Sequence, residues 1–546
     1  MAGLATSFGS GAMTNSIEDL TTQAKSYLII GSNTTEQHPV IGMKLRKAAR
    51  NGAKLILADP RDIPIKDFAV LHLKHKPGTD IALLNGLMHV ILAEDLWDRE
   101  FVEKRTEGFE ALREVVTRYT PEYVAEITGV PAEDIVEAAH ILGNNRPGAL
   151  IYAMGITQHT TGYQNVLTCA NLQMLLGNMG VPGGGVNPLR GQNNVQGSSD
   201  MASLPNVLPG YRKVTDDAER ARFEAVWGVS IPSQPGLTVV EMTQEAHAGN
   251  VKAMYIVAEN PMVSDPDVTH VREALERLDF LAVQDIFLTE TAELADVVLP
   301  ASSFAEKDGT FTNTERRVQL VRKAIDPPGE AREDWEILCD LSSRMGYPMH
   351  YDHPSQIMEE IASLVAIYGG IRYERLNGRG LQWPCPTVDH PGTPILHVGR
   401  FTRGLGKFVP AEWEPPAERT DEEYPLVLTT GRVLYQYHTR SMTGRSAVDS
   451  LYPEAVVELH PEDAAKLGIH DGEKVRVVSR RGAITVKAQV GERPHRGVVF
   501  IPFHFAEAAA NVLTHTILDP VAKIPEYKVC AVRIERLSDQ GNSDGK

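Results

Sequence analysis

Polar residues that directly follow apolar runs are the first chemistry visible in this sequence. They are Ser32, Asn33, Glu36 and His38; Asp59 and Arg61; Gly78, Thr79 and Asp80; Gln158, His159 and Thr161; and Glu259 and Asn260. A carboxylate only accepts hydrogen bonds, so Asp59 and Asp80 each suit the amino group and ring N–H of a guanine. Asn, Asp, Ser and Thr also dominate turns and helix caps, and that plainer reading applies to each of them taken singly. Arg190 is the one charged residue between Gly177 and Gly197, in a stretch of glycines and amides. Its guanidinium can grip a planar carboxylate bidentately, or it is an ordinary exposed arginine. His159 reads equally as a buried hydrogen-bonding histidine or a proton carrier.

Other chemistries are missing. There is no Ser/His/Asp or Cys/His arrangement, no GxxxxGK[ST], and no GxGxxG after the first apolar run. Cys169, Cys339, Cys385 and Cys530 lie far apart with no CxxC, which excludes a thiolate-bound iron–sulfur cluster at motif spacing. Four scattered cysteines suit a reducing, cytoplasmic setting. The formal charge of −17 argues against nucleic acid as a partner. No apolar stretch is long enough for a membrane span, and the start shows no signal-peptide pattern.

The elements that must position these residues are those of a parallel α/β protein with a β-barrel at its end. Residues 27–31 (YLIIG), 53–58 (AKLILA) and 150–154 (LIYAM) are apolar runs stopped by breakers, separated by helix-length segments. Residues 80–96 carry a helical apolar stripe with Asp80 near its start. The stretch 177–197 has no periodicity, as functional loops do. A second α/β set starts near Val251, with strands expected at 253–257, 280–283 and 295–299. Short β runs at 424–429, 455–459, 474–478, 483–490 and 497–501 predict a small barrel. After the two α/β sets come a helical and irregular connector over 331–420, the barrel over 421–537 and a frayed tail over 538–546. Strand-end polar clusters in two parallel units imply a large ligand with nucleotide-like parts, because ligands bind beyond the carboxyl ends of parallel strands.

Four segments carry a family resemblance: GITQHTTG (155–162), LLGNMGVPGGGVNPLRGQNNVQGSSDM (175–201), AENPMVSDPD (258–267) and ADVVLPASSFAEKDGTFTNTERRVQ (295–319). Their combination resembles the molybdopterin oxidoreductases with a bis-molybdopterin guanine dinucleotide cofactor, and within them the formate dehydrogenase catalytic alpha subunits. The resemblance implies two Rossmann-like α/β cofactor-binding domains, one over 1–192 and the other incomplete, with 193–330 only the second half of a split domain, and a double-psi-like barrel that binds the molybdopterin dinucleotide. It implies molybdenum or tungsten held between two dinucleotides. Asn33, Asp59, Arg61, Asp80, Gln158, His159 and Thr161 would sit with one dinucleotide. Glu259, Asn260, Gln284, Asp285, Lys307, Gly309 and Thr310 would sit with the other. From the barrel, Thr430, Gly431, Arg432, His438, Thr439, Asn511 and Lys528 match cofactor-contacting positions.

Arg190 then matches the arginine that orients the formate carboxylate. Formate would be oxidised to carbon dioxide, with hydride or its equivalent leaving the C–H bond for the oxidised metal–sulfido centre. Electrons would pass to iron–sulfur or NAD-reducing diaphorase-type subunits. Nitrate reductases of the family carry Thr before Gly-Gln-Pro-Asn in the corresponding loop, whereas this chain reads Leu189-Arg190-Gly191-Gln192-Asn193-Asn194. A nitrate reductase or other family oxidoreductase, and a non-catalytic subunit using the same fold, are the alternatives. Family members also carry a 4Fe–4S domain and a metal-ligating Cys or selenocysteine upstream of a Pro-Thr-Val-Ala-Gly-Leu-Ala segment. This chain begins Met1-Ala2-Gly3-Leu4-Ala5. The expectation is therefore a misread start, with no metal ligand in the residues given and a chain inactive on its own.

Overall fold

The computed structural model describes residues 1–537, and the tail expected at 538–546 lies outside the described residues. The chain forms two compact units. One holds Met1–Gly191, Val263–Thr269 and the chain from Ile395 onward, and the other holds Gln192–Met262 and His270–Pro394.

In the first unit, strands β1 (Ser26–Ile30), β2 (Lys54–Ala58), β3 (Leu71–Leu73), β4 (Gly148–Tyr152) and β5 (Val186–Pro188) form one parallel sheet in the order β3-β2-β1-β4-β5. Both faces are covered. Leu28, Ile30, Ile56 and Leu150 enter one apolar cluster, and Tyr27, Ile29, Leu55 and Ile151 enter another on the opposite face. That two-sided burial is why these strands read as continuous apolar runs rather than as alternating ones. Helix α1 (Pro39–Arg50) connects β1 to β2 with proline in its first turn, and helix α2 (Asp80–Ala93) is buried almost all round. Helix α3 (Gly162–Leu175) follows β4. Phe401 and Phe408, from the irregular stretch before the barrel, complete the first cluster. The chain order reverses between β1 and β4, so a crevice opens at the carboxyl ends of those two strands.

In the second unit, β6 (Ala253–Val257), β7 (Phe280–Asp285) and β8 (Val297–Pro300) form a parallel sheet in the order β8-β7-β6. Tyr255, Val257, Phe280, Val297 and Val298 are exposed on it. Elsewhere in this unit Asp200 is fully buried and accepts from Tyr211 and Tyr368 hydroxyls at 2.6 Å each, Trp383 Nε1 at 2.7 Å and Gln196 Nε2 at 2.8 Å.

The barrel belongs to the first unit. Strands β9 (Leu426–Gly431), β10 (Val456–Leu459), β11 (Lys474–Ser479), β12 (Ala483–Val490), β13 (Val498–Pro502) and β14 (Cys530–Arg536) close in the order β9-β13-β10-β12-β11-β14. Leu428, Val457, Val477, Val499 and Val532 fill its interior. The sixth strand, β14, was not among the expected β runs. Its alternation of Cys530, Val532 and Ile534 inward is the period-2 signal that identifies it. Together the two parallel α/β sheets and the closed barrel match the fold class expected from sequence. Among the described residues no helix is long and apolar enough to cross a membrane.

Candidate functional site

The crevice at the β1–β4 switch is a partly open cleft lined by polar and charged side chains. Backbone geometry opens it. Gly31 ends β1 with φ of +56°, and its carbonyl accepts from Gly155 N at 3.0 Å. A Cβ on Gly155 would lie 2.5 Å from Gly31 Cα, so only two glycines permit this approach.

Nine of the residues singled out in the sequence line this cleft: Asn33, Asp59, Arg61, Gly78, Asp80, His159, Thr430, Gly431 and Lys528. Asn33 follows β1, Asp59 and Arg61 follow β2, Asp80 opens α2, and His159 lies between β4 and α3. Thr430 and Gly431 end β9, and Lys528 precedes β14. Gln158 is buried beside His159, and Thr161 occupies the N-cap position of α3. Arg190 follows β5 at the same end of the sheet. Its carbonyl accepts from His38 Nε2 at 2.7 Å, and its Nη2 donates to Gly11 O at 3.2 Å. Arg432 packs its guanidinium where a Cβ on Gly191 would otherwise sit. His438 O accepts from His504 Nδ1, Thr439 Oγ1 pairs with Ser441 Oγ, and Asn511 Nδ2 donates to the carbonyls of Val263 and Ser264.

The remaining residues cluster in the second unit. Asn260 donates to Glu290 and accepts from Thr291, and Glu259 precedes it. Gln284, buried at the end of β7, donates to Asp334 at 2.7 Å and accepts from Tyr255. Asp285 accepts from the amides of Ile286 and Phe287, and Lys307 pairs with Asp334. Gly309 and Thr310 begin the hairpin strand Gly309–Thr312.

Electrostatics distinguish the cleft from an ordinary polar groove. Burial, reinforced by Arg61 and Arg432, pushes the Lys528 ammonium down to about 7, and its Nζ donates to Thr430 O at 2.5 Å. Burial also pushes Arg432 down to about 10. Neither cation has a carboxylate at ion-pair distance among the described residues. Arg61 stacks 3.5 Å above the Phe500 ring and lies 3.5 Å from Glu458. In the segment after β1, Ser32 Oγ, both amide atoms of Asn33, Thr34 Oγ1, Thr35 Oγ1 and His38 Nδ1 are buried with no hydrogen-bond partner. Orphaned buried polar atoms are rare in native proteins, and uncompensated buried cations are costly. Asn33 and Lys528 line the cleft, where a polar, anionic ligand with a hydrogen-bonding base would meet the orphaned amide and the uncompensated ammonium. The donors, cations and acceptor carboxylates present therefore fit a phosphate-bridged guanine dinucleotide.

Sequence reasoning missed part of the lining. Gly31, Met154 and His75 face the cleft, and His75 Nε2 lies 3.1 Å from Asp80 Oδ1. His75 stands just after β3 and five residues before Asp80, which was the available signal. Glu526 reaches His159, and His515 reaches Glu526, from barrel loops more than 350 residues away from His159 in sequence, and no local pattern announces them.

Residues 3–344 match the Molybdopterin oxidoreductase family, and residues 426–531 match the Molydopterin dinucleotide binding domain. The F420-dependent formate dehydrogenase subunit alpha of Methanocaldococcus jannaschii is 52% identical, over 98% of this chain and 80% of its own length. Formate dehydrogenase H of Escherichia coli is 42% identical, over 99% of this chain and 76% of its own length. Among solved structures, Acetylene Hydratase from Pelobacter acetylenicus is similar with a TM-score of 0.78 at 21% identity, over 98% of this chain and 80% of that one, a likeness of fold. The switch-point cleft and closed barrel are thus found where both family matches run, and this chain belongs to the molybdopterin oxidoreductase family.

Proposed function

We propose that this chain is a catalytic subunit of a formate dehydrogenase, in which the cleft residues hold a molybdopterin guanine dinucleotide and Arg190 orients formate. The observation that carries the cofactor reading is the pair of buried cations, Lys528 and Arg432, beside the orphaned polar atoms of residues 32–38. Identity of 52% to an F420-dependent formate dehydrogenase alpha subunit supports formate as substrate, and it favours an F420-reducing partner over an NAD-reducing one.

In this reading Asp59 and Asp80 accept from the guanine edge, while Lys528, Arg432 and Arg61 neutralise phosphates. Ser32, Asn33, Thr34 and Thr35 supply hydrogen bonds that they lack within the chain. Gln158 and Thr161 belong to the same set, as do Gly431, Thr430, His438, Thr439 and Asn511 from the barrel. Glu259, Asn260, Gln284, Asp285, Lys307, Gly309 and Thr310 belong to a second dinucleotide. The cofactor, with molybdenum or tungsten, supplies two-electron redox chemistry when bound. Arg190 holds both carboxylate oxygens of formate and keeps its C–H bond in one orientation as negative charge leaves the carboxylate. His38 braces the Arg190 backbone, and burial holds the His38 ring neutral, with its titration pushed down to about 4. The four cysteines are unpaired, which supports a cytoplasmic setting.

The test is formate-dependent dye reduction by the holoenzyme and its Arg190→Lys variant, with nitrate-dependent dye oxidation alongside. Formate turnover without nitrate turnover is expected, with kcat/KM lowered on the order of 100-fold in the variant and cofactor content retained. Nitrate turnover alone, or an unaffected variant, refutes the substrate assignment.

A further inference from the structure

Five titratable side chains form a buried line leading away from the cleft. His75, Asp80, His159, Glu526 and His515 are each at most 4% exposed. His75 Nε2 lies 3.1 Å from Asp80 Oδ1, and His159 Nε2 lies 3.9 Å from Asp80 Oδ2. His159 Nδ1 is 3.4 Å from Glu526 Oε1, and His515 Nε2 is 3.4 Å from Glu526 Oε2.

Counting donors and acceptors assigns the charge of each ring. A ring nitrogen that faces an oxygen acceptor must carry a proton, and one that accepts an N–H must not. His504 accepts from Val433 N and donates to His438 O, so it is neutral. His515 accepts from Ile517 N through Nδ1 and faces Glu526 through Nε2, so it is neutral too. His75 is different, because Nδ1 faces Leu73 O at 3.3 Å and Nε2 faces the Asp80 carboxylate. His159 is also different, with Gly155 O at 2.8 Å from Nε2 and Glu526 facing Nδ1. His75 has an acceptor within hydrogen-bond distance of each nitrogen, and His159 Nδ1, which makes no hydrogen bond, has the Glu526 carboxylate at ion-pair distance. An imidazolium at each position matches those acceptors. Two imidazoliums and two carboxylates leave the line neutral, as its burial requires. None of its carboxylates then remains to offset Lys528 or Arg432.

We propose that His75 and His159 are positioning residues held as imidazolium cations, which together fix the Asp80 carboxylate in the cleft and tether it through Glu526 to the barrel. This rests on the reading of the cleft as a guanine-dinucleotide site. Retention of the dinucleotide then depends on two protons stored beneath it. The charged and titratable groups around the line are Asp59 facing His75, Cys169 facing Asp80, and Arg61 and Lys528 in the cleft. Beyond His515 stand Glu418, Cys530 and Arg481. Glu418, His515 and Cys530 approach one another, yet Arg480 and Arg481 already neutralise Glu418, and burial pushes the Cys530 thiol up to about 12. That trio is an end to the line and not a cation site.

The sign of the pH dependence follows from His75. Burial opposes its charge, but the Asp80 carboxylate more than compensates and raises its titration above the ordinary value. A base raised in the folded state contributes fully below its unfolded value and is lost as pH rises through the folded one. Dinucleotide retention therefore falls toward alkaline pH.

Selective 15N labelling of histidine in the full-chain holoenzyme reads the ring states directly, with assignments from His75→Gln and His159→Gln. The expected result is two doubly protonated rings at neutral pH, at positions 75 and 159, with His504 and His515 singly protonated. Glu526→Gln provides an amide that can donate to His159 Nδ1, and it should convert His159 to a neutral ring. A neutral His159 in the unaltered protein overturns the proposal, whether or not any variant folds. The second readout is GMP released per chain by acid hydrolysis. His75→Gln and His159→Gln are each expected to retain about tenfold less at neutral pH, the loss of one charged hydrogen bond. The alkaline fall should be shallower in His75→Gln, where the protons of His159 and Lys528 alone remain to be lost. If Asp80→Asn keeps its GMP, the dinucleotide reading of the cleft fails. If Asp80→Asn loses it while both histidine variants keep it, the positioning role fails.

Discussion

Lys528 offers a test in which stability and function move in opposite directions. Its ammonium is fully buried, with Arg61 and Arg432 nearby, and is pushed from 10.5 down to about 7. At ~1.4 kcal/mol per pH unit, that displacement withholds about 4–5 kcal/mol of folding free energy from the ligand-free chain near neutral pH. Lys528→Met keeps the volume and removes the charge. It also removes the hydrogen bond to Thr430 O, a loss of about 1 kcal/mol. The ligand-free variant is therefore expected to gain about 3 kcal/mol while losing its ability to retain the dinucleotide. A base whose folded titration is depressed destabilises fully below the folded value and not at all above the unfolded one. The unaltered protein should consequently grow more stable from about pH 7 to about pH 10, and the variant should not. Urea-dependent hydrogen exchange in β9 and β14 measures this locally, which avoids assuming that the two units unfold together. A variant less stable than the parent, together with a flat pH dependence in the parent, would refute the claim that Lys528 is an uncompensated charge awaiting an anion.

Three further outcomes follow from the geometry. Burial works to raise the Glu526 carboxyl, but its bonds to His159 and His515 override this and hold it at about 2. It contributes about 3 kcal/mol above pH 4.5 that disappears as pH falls toward 2, and acid titration of Glu526→Gln should lack that slope. Gly155→Ala drives a Cβ into the Gly31 backbone and should cost about 1–3 kcal/mol by thermal unfolding, with cofactor content falling as well. Asp200→Asn puts an amide nitrogen where one carboxylate oxygen received two of the four hydrogen bonds, a donor facing donors, and about 3–5 kcal/mol should be lost from the second unit by chemical denaturation. An Asp200→Asn protein of unchanged stability would contradict the burial and bonding of that carboxylate.

The architecture was legible because its strands announce themselves differently. Strands buried on both faces, such as Tyr27 to Ile30 and Leu55 to Ala58, are unbroken apolar runs, while barrel strands such as Ala483–Val490 alternate. β14 escaped notice because three of its seven residues, Arg533, Glu535 and Arg536, are charged. The site was legible where chemistry follows strand ends, as at Asn33, Asp59 and His159, because a parallel sheet delivers all those ends to one edge. What the sequence hid was long-range. Lys528 and Arg432 become unusual only through burial without a carboxylate at ion-pair distance. Glu526 gains its role from His159, 367 positions earlier in the chain. Such pairs share no local pattern, and only the fold brings them together.

The central claim is that a guanine dinucleotide balances the buried cations of the cleft. The most direct measurement is the GMP and metal content of the protein isolated with its natural partners, by acid hydrolysis and elemental analysis. The account predicts GMP in the released fraction, with molybdenum or tungsten in fixed ratio to it. Protein that turns over formate yet yields neither GMP nor either metal would contradict it.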